Sequence, residues 1–121
     1  MELFTHAIQL SKESDKMLRK LQSEQIKWVE HNFGKRPTWM PLVGVMEELG
    51  ELAHAYLKKE QGIRIGENHE EKLKDAIGDI VIYLSDFCNA HGFDFATIVE
   101  ETWETVKTRD WIKYPVNGAD K

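Results

Sequence analysis

Residues 73–86 read LKDAIGDIVIYLSD, and the fold is decided by this stretch. Apolar side chains surround a helix drawn through it on almost every side, which is the pattern of a buried helix. Asp75, Asp79 and Asp86 nevertheless project within roughly 40° of one another at 100° per residue. Because a bare buried carboxylate is costly, this row predicts pairing with Lys or Arg from another helix, or with a bound cation.

The rest of the chain also has a helical apolar period, without strand-like alternation or an internal repeat. Thr38, Asn68 and Asp94 are the expected N-terminal caps, and Gly62 and Gly92 the expected ends of two helices. The helices are predicted at about residues 2–31, 39–60, 69–91 and 95–109, followed by a loose tail at 112–121. Four helices with short connections predict an all-α, four-helix bundle-type domain over residues 1–111.

Composition narrows the classes of function. Charged residues make up 31% of the 121 residues, and the formal net charge is −5. This acidic balance argues against a nucleic-acid binder but allows a single nucleotide, because a divalent cation can bridge acids to phosphates. Cys88 is the single cysteine, so no intrachain disulfide is expected. With no visible secretory signal and no apolar run of membrane-spanning length, we expect a cytoplasmic protein without a membrane partner.

A second group of acids lies on the second predicted helix. Glu48 and Glu51 are three residues apart, and Glu47 and Glu51 are four apart, so their carboxylates can reach one shared point. The apolar stripe of this helix consists of Leu42, Val45, Met46, Leu49, Leu52, Ala53 and Tyr56. Glu48 is expected at the edge of that stripe, with Glu47 and Glu51 further round the helix. Like charges at these spacings repel, and Mg²⁺, which prefers hard oxygen ligands, would turn the repulsion into chelation. The alternative is an ordinary solvated acidic face.

Taken in order, residues 47–53 (EELGELA) and residues 75–84 (DAIGDIVIYL) resemble a known family. They are similar to the MazG-like all-α nucleoside triphosphate pyrophosphohydrolases, whose superfamily includes dimeric dUTPases and dCTP pyrophosphatases. The signature of that superfamily is E-x-x-E on one helix and E-x-x-D on the next. The resemblance covers about residues 38–111, and the specificity comes from the two halves occurring together.

The resemblance implies a Mg²⁺ site, with Mn²⁺ as a possible substitute, and hydrolysis of the α–β phosphate bond of an NTP or dNTP. Glu48, Glu51 and Asp79 would be metal ligands, and a carboxylate of Glu47 or Glu48 would position water or accept its proton. Where the family has a Glu three residues before the last Asp, this chain has Ala76. Asp75, one position earlier, is the expected replacement ligand, since both positions share a helical face.

Substrate contacts are expected from cationic side chains and from a base pocket. The candidate residues are Lys58, Arg64, Lys107 and Arg109 for the phosphates, Trp28 and Asn89 for the base, and Asp86 as a further substrate contact. Four helices leave one side of the metal site open, so a homodimer or a dimer of dimers is expected to complete it.

Two other functions are compatible with the same residues. Glu51-Leu52-Ala53-His54 is an E-x-x-H motif, as found in carboxylate-bridged di-iron bundles, although such bundles need the motif on two helices. A non-catalytic helical interaction module would use the acids as a solvated face. The identity of the nucleotide is not readable from the residues.

Overall fold

The computed structural model describes the backbone of residues 2–119 and the side chains of residues 15–119. Over these residues the chain forms four helices and no strand, which confirms the predicted all-α class and agrees with bundle-type packing. The helices are α1 Glu2–Phe33, α2 Met40–Gln61, α3 His69–His91 and α4 Phe95–Val106. The last helix ends three residues earlier than predicted. There the Thr108 hydroxyl donates a hydrogen bond of 2.7 Å to the Thr105 carbonyl, which occupies a terminal acceptor.

Most helix ends follow local sequence signals. Gly62 and Gly92 have φ angles of 67° and 71°, and their left-handed conformation ends α2 and α3 as predicted. The side chain of Asn68 accepts a hydrogen bond of 3.1 Å from the backbone N–H of Glu71, which confirms the predicted cap of α3. Asp94 occupies the predicted N-cap position of α4, but its side chain makes no cap hydrogen bond there.

The prediction that Thr38 caps α2 is wrong. Trp39 occupies the N-cap position, and no side-chain cap hydrogen bond forms there. Pro41 lies in the first turn of α2 and is buried. Because proline has no N–H, it removes one of the donors that a cap residue would otherwise have to satisfy.

Residues Lys20–Phe93 form one compact unit, in which α2 and α3 pack against each other. The two helices are antiparallel, because early residues of α2 share a cavity with late residues of α3, and late residues of α2 with early residues of α3. The C-terminal part of α1 lies along α3 in this unit. Gln22 donates to Asn89 Oδ1 at 3.0 Å, and Gln25 donates to the Ile82 carbonyl at 2.9 Å.

The other compact unit combines the N-terminal part of α1 with α4 and the residues that follow it. Phe95 and Ala96 are buried at the start of α4. After this helix the Asp110 carboxylate accepts hydrogen bonds of 3.0 and 2.9 Å from the N–H groups two and three residues ahead. The Asp110 N–H donates to the Gly118 carbonyl at 2.9 Å. The looseness predicted for residues 112–121 concerns motion and stays a prediction, and residues 120 and 121 lie outside the described residues.

Most of the apolar stripe of α2 is exposed to solvent. Five of its members are exposed in the described chain: Leu42, Met46, Leu49, Ala53 and Tyr56. The side of α2 that is buried carries Gly44, Ala55 and the half-buried Glu48 instead. Packing against α3 is closest where side chains are small, so the glycine and the alanine lie inside and the larger stripe is left outside. None of the helices, over the described residues, has both the length and the apolar character needed to cross a membrane.

Candidate functional site

The predicted acid cluster on α2 forms as its spacing requires. One carboxylate oxygen from each of Glu47, Glu48 and Glu51 lies within 4.8 Å of the others. Glu47 and Glu51 are exposed, whereas Glu48 is half-buried and faces α3. Residues three and four apart on a helix are neighbours, so this grouping follows from the local geometry of α2 alone.

Glu48 is the most perturbed member of the cluster. Its pKa is raised above the ordinary value of 4.5, first because burial removes water from the carboxylate and then because Glu51 and Asp79 are negatively charged neighbours. The neighbouring Glu51 carboxyl group acts in the same direction, because two carboxyl groups can hydrogen-bond to each other only when one is protonated. Its Oε2 is buried without a hydrogen-bond partner. These acids therefore repel one another, and either a bound cation or added protons would relieve the repulsion.

No Lys or Arg within the described residues lies within 4.0 Å of the acids of this cluster or of Asp75 and Asp79. Asp86, the third acid of the predicted row on α3, is different. It accepts a hydrogen bond of 2.5 Å from Arg36, and the two side chains are only 9% and 17% exposed. The ion-pair alternative that the sequence left open is therefore realised at Asp86, and not at Asp75 or Asp79.

A cavity of about 540 Å³ lies beside the acids. It is lined by residues of α1, α2 and α3 and by Arg36 from the connection between α1 and α2. The helical residues are Gln25, Trp28, Val29, Phe33, Met40, Val43, Gly44, Glu47, Glu48, Asp79, Ile82, Tyr83 and Asp86. Asp79 and Asp86 are seven residues apart on α3, so they are separated by roughly 10 Å along the helix axis. The volume lies within the usual range of small-molecule sites, about 300–1,000 Å³.

Gly44 allows the wall of this cavity to form. It is buried, and a Cβ at this position would overlap the ring of Tyr83. Tyr83 therefore lies directly on the backbone of α2. Its pKa is raised above 10.0, because of burial first and then because of the charges of Glu47 and Glu48. The phenol consequently stays protonated beside the acids and can donate a hydrogen bond.

Asp75 borders a second cavity, of about 560 Å³, together with Glu47, Glu51, His54 and Lys72. Asp79 borders the first cavity instead, so the two predicted α3 ligands line different cavities, and Glu47 lines both. The ammonium of Lys72 is paired with Glu67 at 2.9 Å. The role of Asp75 as a replacement ligand stays a prediction.

The predicted base contacts are partly brought together. Trp28 borders the first cavity and packs edge-to-face on Phe33, with ring centroids 5.6 Å apart. Asn89 borders a separate cavity, of about 340 Å³, and exchanges hydrogen bonds with Gln22. Asp86 borders both cavities. Trp28 and the further substrate candidate Asp86 thus share the cavity of the acids, whereas Asn89 lines the separate one.

The predicted phosphate contacts belong to both compact units. Lys58 donates to Gln61 at 3.2 Å, near the C-terminal end of α2. Arg64 has a positive φ of 53° and lies 3.8 Å from Glu67. Two further candidates belong to the unit that contains α4. There the ammonium of Lys107 is paired with Glu104 at 2.8 Å, and the side chain of Arg109 borders Gly118. Contact of any of these four cations with phosphate stays a prediction.

Several residues of the first cavity were not singled out from the sequence. Gln25, Arg36 and Tyr83 all line it, and Arg36 also lies over the ring of Phe33 at 5.4 Å. A glycine in the interior of a helix costs about 1 kcal/mol relative to alanine, so Gly44 was a signal of close packing. No comparable signal marked the pairing of Arg36 with an acid fifty positions away.

Comparisons with protein-family models, with curated proteins and with solved structures gave no match for this chain.

Proposed function

We propose that this chain is a Mg²⁺-dependent pyrophosphohydrolase that cleaves an NTP or a dNTP to the nucleoside monophosphate and pyrophosphate. The observation that carries the proposal is Glu48. This carboxylate is half-buried among three other acids, and one of its oxygens has no hydrogen-bond partner. It also borders a cavity of the size that small ligands use.

The chemistry of the donor set fits a hard divalent cation. Carboxylate oxygens are the ligands that Mg²⁺ prefers, and Glu47, Glu48 and Glu51 offer three of them within 4.8 Å. Asp79 adds negative charge next to Glu48 from the facing helix. An acidic face that only meets water has no need of a buried, unpartnered oxygen. The arrangement therefore supports a cation site more than a solvated face.

A bound Mg²⁺ would neutralise phosphate oxygens and make a water molecule more acidic. Glu48, Glu51 and Asp79 would hold the ion. Glu47 is exposed next to them and would accept the proton of the attacking water. Tyr83, which stays protonated, would donate a hydrogen bond to the substrate from the wall of the cavity.

We further propose that the chain works as a homodimer or a dimer of dimers. The exposed stripe of α2 is too apolar for a free surface: Met46 is 67% exposed, Leu49 56% and Tyr56 57%. Contiguous apolar patches of this kind mark interaction sites. A second copy that covers the stripe would remove these apolar side chains from water.

The test is an assay of pyrophosphate release from a panel of NTPs and dNTPs, with Mg²⁺ or Mn²⁺ and with EDTA. We expect hydrolysis of at least one nucleotide, dependent on the metal. Glu51→Gln and Asp79→Asn should each lose about 100-fold or more, since metal ligation contributes several kcal/mol to the transition state. Glu60→Gln, an exposed acid on the same helix, is the matched control and should keep full activity.

Two results would exclude the proposal. One is the absence of metal-dependent pyrophosphate release from every nucleotide in a folded protein. The other is purified protein with stoichiometric iron and sensitivity to His54→Ala, which would favour the di-iron alternative, since His54 borders the same cavity as Glu51.

A further inference from the structure

Arg36 is the cation of the first cavity, and the reaction proposed above assigns it no part. Within the described residues it is the one Lys or Arg that lines this cavity, and the four cations predicted for phosphate contact do not line it. A nucleoside triphosphate keeps negative charge after one Mg²⁺ has bound to it. A positive side chain in the wall would therefore stabilise phosphates that enter the cavity.

The guanidinium of Arg36 has a defined position. Its Nη2 donates a hydrogen bond of 2.5 Å to Asp86 Oδ2, and its central carbon lies 5.4 Å from the centroid of the Phe33 ring. Asp86 and Phe33 both line the cavity, so the guanidinium that contacts them lies at the cavity wall. The Arg36 side chain is 17% exposed and therefore keeps some accessible surface.

The ion pair leaves N–H groups of Arg36 for a ligand. A guanidinium carries five N–H groups in a planar fork, and the hydrogen bond to Asp86 uses one of them. Phosphate groups are commonly bound by arginine through two parallel N–H···O bonds. Because Asp86 already holds the guanidinium in place, less side-chain freedom is lost when a phosphate binds. Asp86 is thus a positioning residue for Arg36.

The acids and Arg36 lie along the same stretch of α3. Asp86 follows Asp79 by seven residues, which is roughly 10 Å along the helix axis, and Tyr83 lies between them. Burial is the main cause of the raised pKa of Tyr83, the neighbouring acids add to it, and the charge of Arg36 opposes it. Both kinds of charge therefore act on this one phenol. A polyphosphate whose metal is held at Asp79 would extend past Tyr83 towards Arg36.

We propose that Arg36 binds phosphate oxygens of the substrate and of the departing pyrophosphate, at the end of the cavity where Asp86 lies. The inference rests on the proposed function for the position of the metal. The fixed positive charge would stabilise the negative charge that develops on the leaving group. The competing explanation is an ion pair that contributes only to stability, and the two differ in what removal of Arg36 does to anion affinity.

The experiment measures Kd by titration calorimetry of the full chain with inorganic pyrophosphate and Mg²⁺, a probe that has phosphates and no base. The variant is Arg36→Met/Asp86→Leu, because it leaves no charge of the pair buried alone. We expect its Kd for pyrophosphate to rise about 10- to 100-fold, as for the loss of hydrogen bonds to a charged group. Lys35→Met changes an exposed cation that does not line the cavity, and it should keep the wild-type Kd.

Two further measurements separate a ligand contact from a purely structural role. Arg36→Lys keeps a charge beside Asp86 but loses the planar fork, so its Kd for pyrophosphate should lie between those of the wild type and the double variant. Titration with Mg²⁺ alone should give the same Kd in the wild type and the double variant, because the proposed metal ligands are unchanged. Equal losses of affinity for Mg²⁺ and for pyrophosphate would show a structural role and overturn the inference.

The inference is also overturned if the folded wild type does not bind pyrophosphate at millimolar concentration, or if the double variant binds it as tightly as the wild type. If circular dichroism shows that the double variant does not fold, Arg36→Lys decides: a Kd raised by about 3-fold or more supports the inference, and an unchanged Kd overturns it.

The two proposals can fail separately. Pyrophosphate binding that depends on Arg36, without pyrophosphate release from any triphosphate, supports this inference and excludes the proposed function. Metal-dependent hydrolysis together with unchanged pyrophosphate affinity in the variants excludes only the inference.

Discussion

Asp86 and Glu48 border the same cavity, yet the molecule treats the two carboxylates in opposite ways. Asp86 is paired with Arg36 at 2.5 Å and is almost fully buried. Glu48 is half-buried among like charges, with a raised pKa and an unpartnered oxygen. Asp86 has its counter-charge from the protein itself, whereas Glu48 has none among the described residues and would need a bound cation. Burial of an acid therefore does not by itself indicate a cation site. A buried acid indicates one only when the protein supplies no counter-charge to it.

The largest effect on stability is expected from breaking the buried ion pair between Arg36 and Asp86. Asp86→Ala leaves the Arg36 guanidinium buried without a counter-charge, and we expect the free energy of unfolding to fall by about 3 kcal/mol. Urea denaturation measures the change. The double variant Arg36→Met/Asp86→Leu should recover most of the loss, because no charge is then buried. A loss of the same size in the double variant would mean that the pair contributes through its shape and not through its charge.

A smaller effect on stability is expected at the close contact between Gly44 and Tyr83, which both line the cavity of Glu48 and Asp86. Gly44→Ala forces the ring of Tyr83 away from α2, and we expect a loss of about 1–3 kcal/mol in the free energy of unfolding. Gly78→Ala is the matched control, since nothing lies within 4 Å of its Cβ position. The control should gain about 0.5–1 kcal/mol through helix propensity. Equal gains in both variants would show that Tyr83 moves without cost.

The smallest effect is expected at Glu48, the acid without a counter-charge, where a substitution should raise the free energy of unfolding. Glu48→Gln removes a repelled charge, so without divalent cations at pH 7 we expect a gain of about 0.5–1 kcal/mol in the free energy of unfolding. Thermal unfolding with EDTA measures it. Glu60→Gln, outside the cluster, should leave the stability unchanged. A clear loss in Glu48→Gln would show that the carboxylate has a structural partner and would count against the cation site.

The pH dependence of stability sharpens the same comparison. Because the pKa of Glu48 is raised in the folded chain, the folded state binds this proton more tightly than the unfolded state does. The corresponding stability is fully present below pH 4.5 and is lost as the pH rises through the raised pKa. In EDTA the wild type should therefore lose stability relative to Glu48→Gln over this range, and millimolar Mg²⁺ should restore it. Parallel pH profiles of the two proteins would contradict the raised pKa.

Much of the fold was predictable because its signals are local. The period of the apolar residues indicated four helices, and Asn68, Gly62 and Gly92 marked ends that the structure confirms. The grouping of Glu47, Glu48 and Glu51 was predictable for the same reason, since the helical repeat alone places positions three and four apart side by side. The cap at Thr38 was predicted wrongly. Pro41 in the first turn has no N–H, so one donor fewer is left for a cap residue to satisfy.

The helices, most of their ends and the clustering of acids on α2 follow from the amino-acid sequence alone. Each of them depends on residues that lie within about one helical turn of one another. Only the tertiary structure decided that α2 turns Glu48 inward and its apolar stripe outward. It also decided that Asp86 is paired with Arg36 and that Gln25 is left with an unsatisfied oxygen. These outcomes depend on the rotation of each helix about its axis, which the packing of distant side chains selects and a local pattern does not encode.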